Sequence, residues 1–279
     1  MSNAGNIRRR IDDIDFNISH GRYEAALALL LIAVDGSARK VFPQDFKSLI
    51  NPSRRIGNKE RYTRFLGVRL RELFGINMPD NAYFSGVLPE FIGGAESPEE
   101  KIYVGFRCND LHESGLPNDL KYVYKHDDNE HSYTLEFSEG QVHFSSGFLR
   151  LLRTAIVGAP CNGKEFNIQH FRVVPSCDLS FSEILQRISE KYKISPGRVD
   201  ILKRLVQFVG PEAEEVDDQQ LAKLLTFQLD SRLPGGAKTA LCMFTSLEPL
   251  CSFENGLTLY SVQIIRDILN YSKFIDIAT

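Results

Sequence analysis

Residues 23–42, YEAALALLLIAVDGSARKVF, decide the fold that this sequence predicts. Before Asp35 the stretch is apolar at almost every position, without the strict alternation that is typical of a half-buried strand. A helix that is apolar on nearly all sides is predicted to lie at the centre of a bundle, and Pro43 ends it. Asp35 is the exception in this helix, because it either makes a structural ion pair or positions a functional arginine from elsewhere in the chain.

Further helices are predicted on both sides of the central one. Residues 6–20 can form a polar first helix, and residues 148–157, FLRLLRTAIV, predict a helix that closes the first domain. Residues 53–71, SRRIGNKERYTRFLGVRLR, predict a third helix that carries seven basic residues against one glutamate. Its basic side is either a solvated surface or a set of contacts to RNA phosphates. The candidate contacts are Arg54, Arg55, Lys59, Arg61 and Arg64.

A well-bounded helix is predicted over residues 99–115, EEKIYVGFRCNDLHESG. Ser97 can cap it and Pro98 suits the first helical position, while Glu100 stands three residues after the serine, as in a capping box. At the other end, Gly115 can adopt the left-handed conformation that terminates a helix. These signals predict one continuous helix that contains an arginine and a histidine.

Arg107 and His112 in this helix are the candidate functional pair. On a helical wheel of about 100° per residue, Arg107 shares a face with Tyr103 and Val104. A guanidinium among apolar neighbours requires an anionic partner, because burying it unpaired costs several kcal/mol. His112 lies about 140° further round the helix. The two side chains therefore converge only if the last turn loosens, or if two copies of the helix meet across a symmetric interface.

The apolar helix of residues 23–42 and the motif helix of residues 99–115 together resemble the HEPN domains, which are four-helix and often dimeric modules. The resemblance covers roughly residues 8–162 and rests on the Arg-x4-His motif of Arg107 and His112, together with the apolar helix that carries Asp35. Two positions depart from the usual pattern: Cys108 follows the arginine where a polar residue is common, and Ser114 stands where one HEPN subgroup has a modifiable tyrosine. What the resemblance implies about activity therefore depends on an intact site.

The resemblance implies a metal-independent endoribonuclease of the toxin-antitoxin or phage-defence type, in which a ribose 2′-hydroxyl attacks its own phosphate. His112 would act as general acid/base, because its ordinary pKa of about 6.5 suits both roles. Arg107 would clamp the phosphate with its planar fork of donors. Asp35 and Asn109 would support the site. The implied partners are RNA, a second copy of the chain in a homodimer and an antitoxin protein, and no cofactor is implied.

Strands and a domain boundary follow the motif helix. Residues 120–123, 131–137 and 141–144 alternate in the manner of strands, and the last two predict a small β-hairpin. Residues 160–164 then suggest a boundary. The prediction is a mainly α protein, with a HEPN-like four-helix bundle and its hairpin over residues 5–163 and a second, mostly helical domain over residues 164–279.

Residues 183–209 in the second domain resemble a helix-turn-helix. Arg198, Lys203 and Arg204 would give its second helix a basic side, as in a regulator that binds DNA. A plain helical hairpin predicts nearly the same pattern, so both interpretations stay open.

The composition excludes several classes of protein. The 279 residues carry a net charge of -3, so the surface as a whole does not favour nucleic acid. Five scattered cysteines without a CxxC pair indicate reduced thiols, and no signal peptide or bilayer-spanning run is apparent, which predicts a cytoplasmic protein without membrane binding. The histidines of residues 126–143 lack the spacing of a zinc site, so no metal is predicted.

A second function class fits the same residues. In a non-catalytic nucleotide- or protein-binding module, Arg107 would pair with Asp35 and His112 would interact with the C-terminal end of its helix. The sequence alone does not decide between this module, the ribonuclease and the DNA-binding regulator.

Overall fold

A computed structural model describes most of the chain, namely residues 7–74, 76, 78, 82–85, 88–90, 97–107, 121–126, 133–138, 141–233, 235–243 and 248–278. The described residues are mostly helical with small sheets, which confirms the predicted mainly α class. The chain divides into two compact units, the first ending at Ile168 and the second beginning at Gln169. The sequence had suggested a boundary after Gly163.

The first unit is organised around a central helix, as residues 23–42 predict. Leu27, Leu30, Leu31 and Val34 of this helix are fully buried, and α1, α3 and α5 pack against it. The helices are α1 (Ile7–Ser19), α2 (Tyr23–Val41), α3 (Asn58–Leu73), α4 (Pro98–Ile102), α5 (Ser146–Val157) and α6 (Gly163–Phe166), with a 3₁₀ turn at Pro160–Asn162.

A three-stranded sheet completes the first unit. Its strands are β1 (Lys121–Lys125), β2 (Leu135–Ser138) and β3 (Gln141–Ser145), in the order β1-β3-β2. The antiparallel pair β2 and β3 is the predicted hairpin, whereas β1 pairs with β3 in parallel, which the sequence did not predict. Phe144 of β3 is buried in the helical core, so the sheet shares that core.

The second unit is a separate helical core with two small sheets. Its helices are α7 (Phe181–Tyr192), α8 (Pro196–Val209), α9 (Glu212–Glu215), α10 (Asp218–Arg232), α11 (Gly235–Cys242) and α12 (Leu259–Asn270). The strands are β4 (Phe171–Pro175), β5 (Cys251–Ser252), β6 (Gly256–Leu257) and β7 (Ser272–Asp276), with β4 paired to β7 and β5 to β6. The α12 helix packs against α7, α8 and α10. None of the helices described in either unit is long and apolar enough to cross a bilayer.

Local signals in the second unit are confirmed where they involve near neighbours. The Ser-x-x-Glu spacing of Ser180 and Glu183 predicts a capping box, and these residues form it at the start of α7. Gly210 ends α8 with φ +74°, and a Cβ there would lie 2.3 Å from the Phe171 ring, so both the conformation and the space require glycine.

The sequence predicts a final amphipathic helix over residues 257–274 and an acidic loop over residues 211–218, and the structure differs from both predictions. The final helix, predicted over residues 257–274, stops at Asn270, because residues 272–276 bond to β4 as strand β7. The acidic run of residues 211–218, predicted as a loop, contains the short helix α9.

Candidate functional site

The helix that carries the arginine and histidine motif begins where the sequence predicts, but without the predicted cap. Pro98 occupies its first turn, and the main-chain oxygen of Ser97 accepts hydrogen bonds from the amides of Glu100 and Lys101, at 3.0 and 3.2 Å. The Ser97 side chain makes no capping bond to the helix. Glu100 lies 3.6 Å from Lys59 of α3 instead of completing a capping box.

The α4 helix widens into a π-helical turn at Tyr103–Arg107. Such turns are rare in proteins, and those that occur are often found at functional sites. The turn also invalidates the ideal helical wheel, because Tyr103 is 8% exposed whereas Val104, predicted on the same apolar face, is 54% exposed. The described part ends with the main chain of Arg107; its side chain, and Cys108, Asn109 and His112, lie outside the described residues.

A buried ion pair fixes the start of this helix to α3. Glu99 Oε1 accepts a hydrogen bond of 2.8 Å from Arg71 Nη1, and both side chains are buried. The same nitrogen of Arg71 donates to the main-chain oxygen of Gly67 at 2.9 Å. A Cβ on Gly67 would lie 2.7 Å from Glu99 Oε1, so a larger residue there would displace the end of the Glu99 side chain.

The π-turn itself lies against α3 through two aromatic rings. Tyr103 packs edge-to-face on Tyr62, with ring centroids 5.3 Å apart and an interplanar angle of 61°. Because Tyr62 follows Arg61 directly, this contact brings the turn that ends in Arg107 beside the segment of α3 that carries Arg61.

Asp35 has a structural partner on its own helix. Its Oδ2 accepts a hydrogen bond of 3.0 Å from Arg39 Nε, four residues further along α2. This ion pair is one of the two roles that the sequence left open for Asp35. The other role, positioning Arg107, stays a prediction. The Asp-x3-Arg spacing of Asp35 and Arg39 was a signal that could have found Arg39 in the sequence.

Arg61 of α3 is buried, and one of its guanidinium nitrogens is both buried and unbonded within the described part of the chain. The residue is 5% exposed, and its Nε makes no hydrogen bond within the described part of the chain. Burial lowers the pKa of the guanidinium, the positive charge of Arg39 lowers it further, and Asp35 partly offsets both effects. Arg39 and Asp35 lie on α2, which packs against α3.

The remaining basic candidates at and before the start of α3 differ from Arg61 because they are exposed. The third helix begins at Asn58 rather than at residue 53, because Arg54 and Arg55 belong to a loop in which Lys47 and Arg55 form a β-bridge. Both arginines of the loop are exposed. Exposed Lys59 pairs with the carboxylate of Glu100.

Arg64 contradicts the prediction of an exposed phosphate contact. It is 9% exposed and donates to the main-chain oxygens of Ala82 and Tyr83, at 3.0 and 3.1 Å, and to Ser85 Oγ at 3.1 Å. These bonds hold residues 82–85 against α3. The guanidinium of Arg64 therefore serves the fold rather than an exposed phosphate track.

The basic side predicted for the second unit is also largely engaged. Arg198 Nε donates to the main-chain oxygen of Ala240 at 2.8 Å. Lys203 is buried, and its ammonium lies 4.3 Å from the centroid of the Phe181 ring. These two side chains therefore stabilise the unit internally, and they do not present the exposed basic side that the helix-turn-helix interpretation requires. Arg204 is half-buried.

No group of three or more histidine, cysteine, aspartate or glutamate side chains with the geometry to hold a metal occurs among the described residues. Four of the five cysteines are described, and all four are free thiols. Burial raises the pKa of Cys161 to about 11, which keeps this thiol protonated.

Comparison with known proteins identifies a family but no relative of established structure. The model of the protein family described as Rv1289 matches residues 6–222 of the 279. The match includes the described part of the first unit and helices α7 to α9 of the second. No curated protein and no solved structure matches the chain. The family description states no activity, so the resemblance to HEPN domains stays a prediction. Because the match covers more than half of its length, the chain belongs to the Rv1289 family.

Proposed function

We propose that the first unit is a metal-independent endoribonuclease of the toxin or phage-defence type, with a HEPN-like site. The ribose 2′-hydroxyl attacks the adjacent phosphate, and the 5′-oxygen of the next nucleotide leaves. His112 accepts and returns the proton, because imidazole titrates near neutral pH. Arg107 holds the phosphate oxygens that gain charge in the transition state, and Asp35 and Asn109 support the pair.

One observation carries this proposal: the main chain that ends in Arg107 lies against the part of α3 that holds Arg61, a buried arginine whose Nε has no hydrogen-bond partner among the described residues. The contact runs through the rings of Tyr103 and Tyr62. Asp35, which pairs with Arg39, acts on the same arginine, Arg61, through its charge. A strand that brings its phosphates to Arg107 would thus meet further positive charge and a carboxylate within the unit.

A homodimer is part of the proposal. Two copies related by a twofold axis would bring two Arg107 and His112 pairs into one groove, which removes the need for one helix to make its two side chains converge. RNA would be the substrate, and an antitoxin protein would control it in the cytoplasm.

The first test is RNA cleavage in the presence of EDTA by the purified chain, by His112→Ala and by His20→Ala. His20 is an exposed histidine at the end of α1 and provides the matched control. The parent and His20→Ala should cleave total RNA and leave 2′,3′-cyclic phosphate or 3′-phosphate ends. His112→Ala should lose at least about 100-fold in rate, as expected for a general acid/base.

Two results would refute the ribonuclease. Equal cleavage by His112→Ala would remove the histidine from the chemistry. If the parent bound RNA but did not cleave it, the result would favour the alternative, a non-catalytic module that binds nucleotides or protein.

A further inference from the structure

The feature with the least explanation inside the fold is the guanidinium of Arg61. A guanidinium carries five N–H donors and a permanent charge, and both lose their hydration on burial. In this protein the residue is 5% exposed, and its Nε has no hydrogen-bond partner among the described residues. Such a group is costly to the folded state unless an anion binds it.

The other buried arginines of α3 show that this lack of partners is peculiar to Arg61. Arg64 donates to two carbonyls and a hydroxyl. Arg69 donates to the main-chain oxygens of Ala155 and Gly158 and pairs with Glu72. Arg71 pairs with buried Glu99. The fold supplies acceptors for each of these three side chains, so the lack of one for Arg61 Nε among the described residues is informative.

The charges around Arg61 favour an anion with more than one oxygen. Arg39 and Asp35 both act on the guanidinium through their charges. The three side chains together carry two positive charges and one negative charge, and the carboxylate is already bonded to Arg39. The Arg39 side chain is 57% exposed, so its rotamer can change to meet a ligand.

We infer that Arg61 is the receptor of an anion-binding site for one phosphate group, with Arg39 as its second, movable ligand. The planar forks of two arginines match the oxygens of a phosphate, which accept two parallel hydrogen bonds from each. The group comes either from an RNA backbone or from a free phosphate or mononucleotide. The RNA source rests on the proposed function, in which the site would hold a phosphate next to the one that is cleaved.

The first experiment measures thermal unfolding of the full chain in rising inorganic phosphate at constant ionic strength. A site that binds only the folded state raises Tm by about 3–5 °C for each tenfold rise of phosphate above its Kd. We expect this rise for the parent and for Arg187→Met, which removes an exposed charge from α7 of the other unit. Arg61→Met should lose the rise.

The second experiment measures the affinity of a 2′-O-methyl oligoribonucleotide, which cannot react through its 2′-oxygen. Arg61→Met should bind it about 10- to 100-fold more weakly than the parent if the site takes a phosphate of RNA. If Arg61→Met lost the response to inorganic phosphate but kept its affinity for the oligoribonucleotide, the site would be assigned to free phosphate or a mononucleotide. Should Arg61→Met not fold, Arg61→Lys, which keeps the charge without the planar fork, should bind the same probes at least about fivefold more weakly.

Responses to both probes that are equal in the parent and the Arg61 variants, or absent from the parent, would overturn the anion-binding site. His112→Ala separates this result from the ribonuclease, because it should keep the full phosphate response. A phosphate response that depends on Arg61 in a protein that never cleaves RNA would refute the nuclease and leave the anion-binding site standing.

Discussion

Replacing Arg61 and Arg64 by methionine should change stability in opposite directions, although the two arginines lie one turn apart on α3 and are similarly buried. Methionine keeps most of the apolar stem and removes the charge. At Arg61 no bonded partner is lost within the described part of the chain, and the cost of burying a charge disappears. We expect Arg61→Met to stabilise the ligand-free protein by about 1–3 kcal/mol.

At Arg64 the same substitution removes three hydrogen bonds from a charged donor. Each such bond contributes about 1.5–3 kcal/mol, and the acceptors at Tyr83 and Ser85, which are only partly buried, recover part of this from water. The expected loss is about 2–4 kcal/mol. The two variants should therefore differ by several kcal/mol in the free energy of unfolding.

Urea unfolding followed by circular dichroism measures this difference, in a buffer free of phosphate and sulfate so that the Arg61 site stays empty. The chain contains no tryptophan, so the helical signal is the suitable probe. Equal m-values in the three proteins would show that the same surface unfolds. An Arg61→Met variant that is as unstable as Arg64→Met would refute the reasoning, because Arg61 would then have an anionic partner within the native chain.

Two further perturbations test other parts of the first unit. Arg71→Met leaves the buried carboxylate of Glu99 without its partner and should reduce the free energy of unfolding by about 3–5 kcal/mol, measured by the same urea transition; a change below about 1 kcal/mol would contradict a buried pair. Burial raises the pKa of the Glu165 carboxyl. The hydrogen bonds that this carboxyl accepts lower its pKa by more, so the pKa lies below the ordinary value of 4.5. The ionised carboxyl therefore stabilises the fold above pH 4.5, and this stability is lost as the pH falls through the lowered pKa. Glu165→Gln should show a shallower fall in Tm below that pH, and an identical fall would exclude this carboxyl as its source.

The sequence predicts helices well where neighbouring residues alone determine them. The α2 helix follows from an apolar run, and α7 from a capping box, because both signals act over a few residues. The start of α3 was missed because its first predicted turn has competing long-range bonds. The Ile56 amide donates to the Phe46 oxygen at 2.9 Å, and the Ser48 amide donates to the Arg54 oxygen at 3.0 Å. Backbone partners from a different segment outweigh local helix propensity here.

The candidate site shows the same limit at the level of single side chains. The spacing of Arg107 and His112 is visible in the sequence, and so is the basic composition of α3. Arg61 and Arg64 read alike there, because burial and the position of acceptors depend on residues 82–85 and on α2. The π-turn at Tyr103–Arg107 also escapes a helical wheel, which assumes a constant angle per residue.

The parallel pairing of β1 with β3 anchors the chain after the motif. The buried pair of Glu99 and Arg71 holds the helix before the motif on α3. After residues 108–120 the chain enters β1, and β3, the partner of β1, leads directly into α5. The two described segments that flank residues 108–120 thus both belong to the first unit. The parallel register from Lys121 opposite Gln141 to Lys125 opposite Ser145 therefore ties β1, through β3, to the helix that follows β3 in the chain.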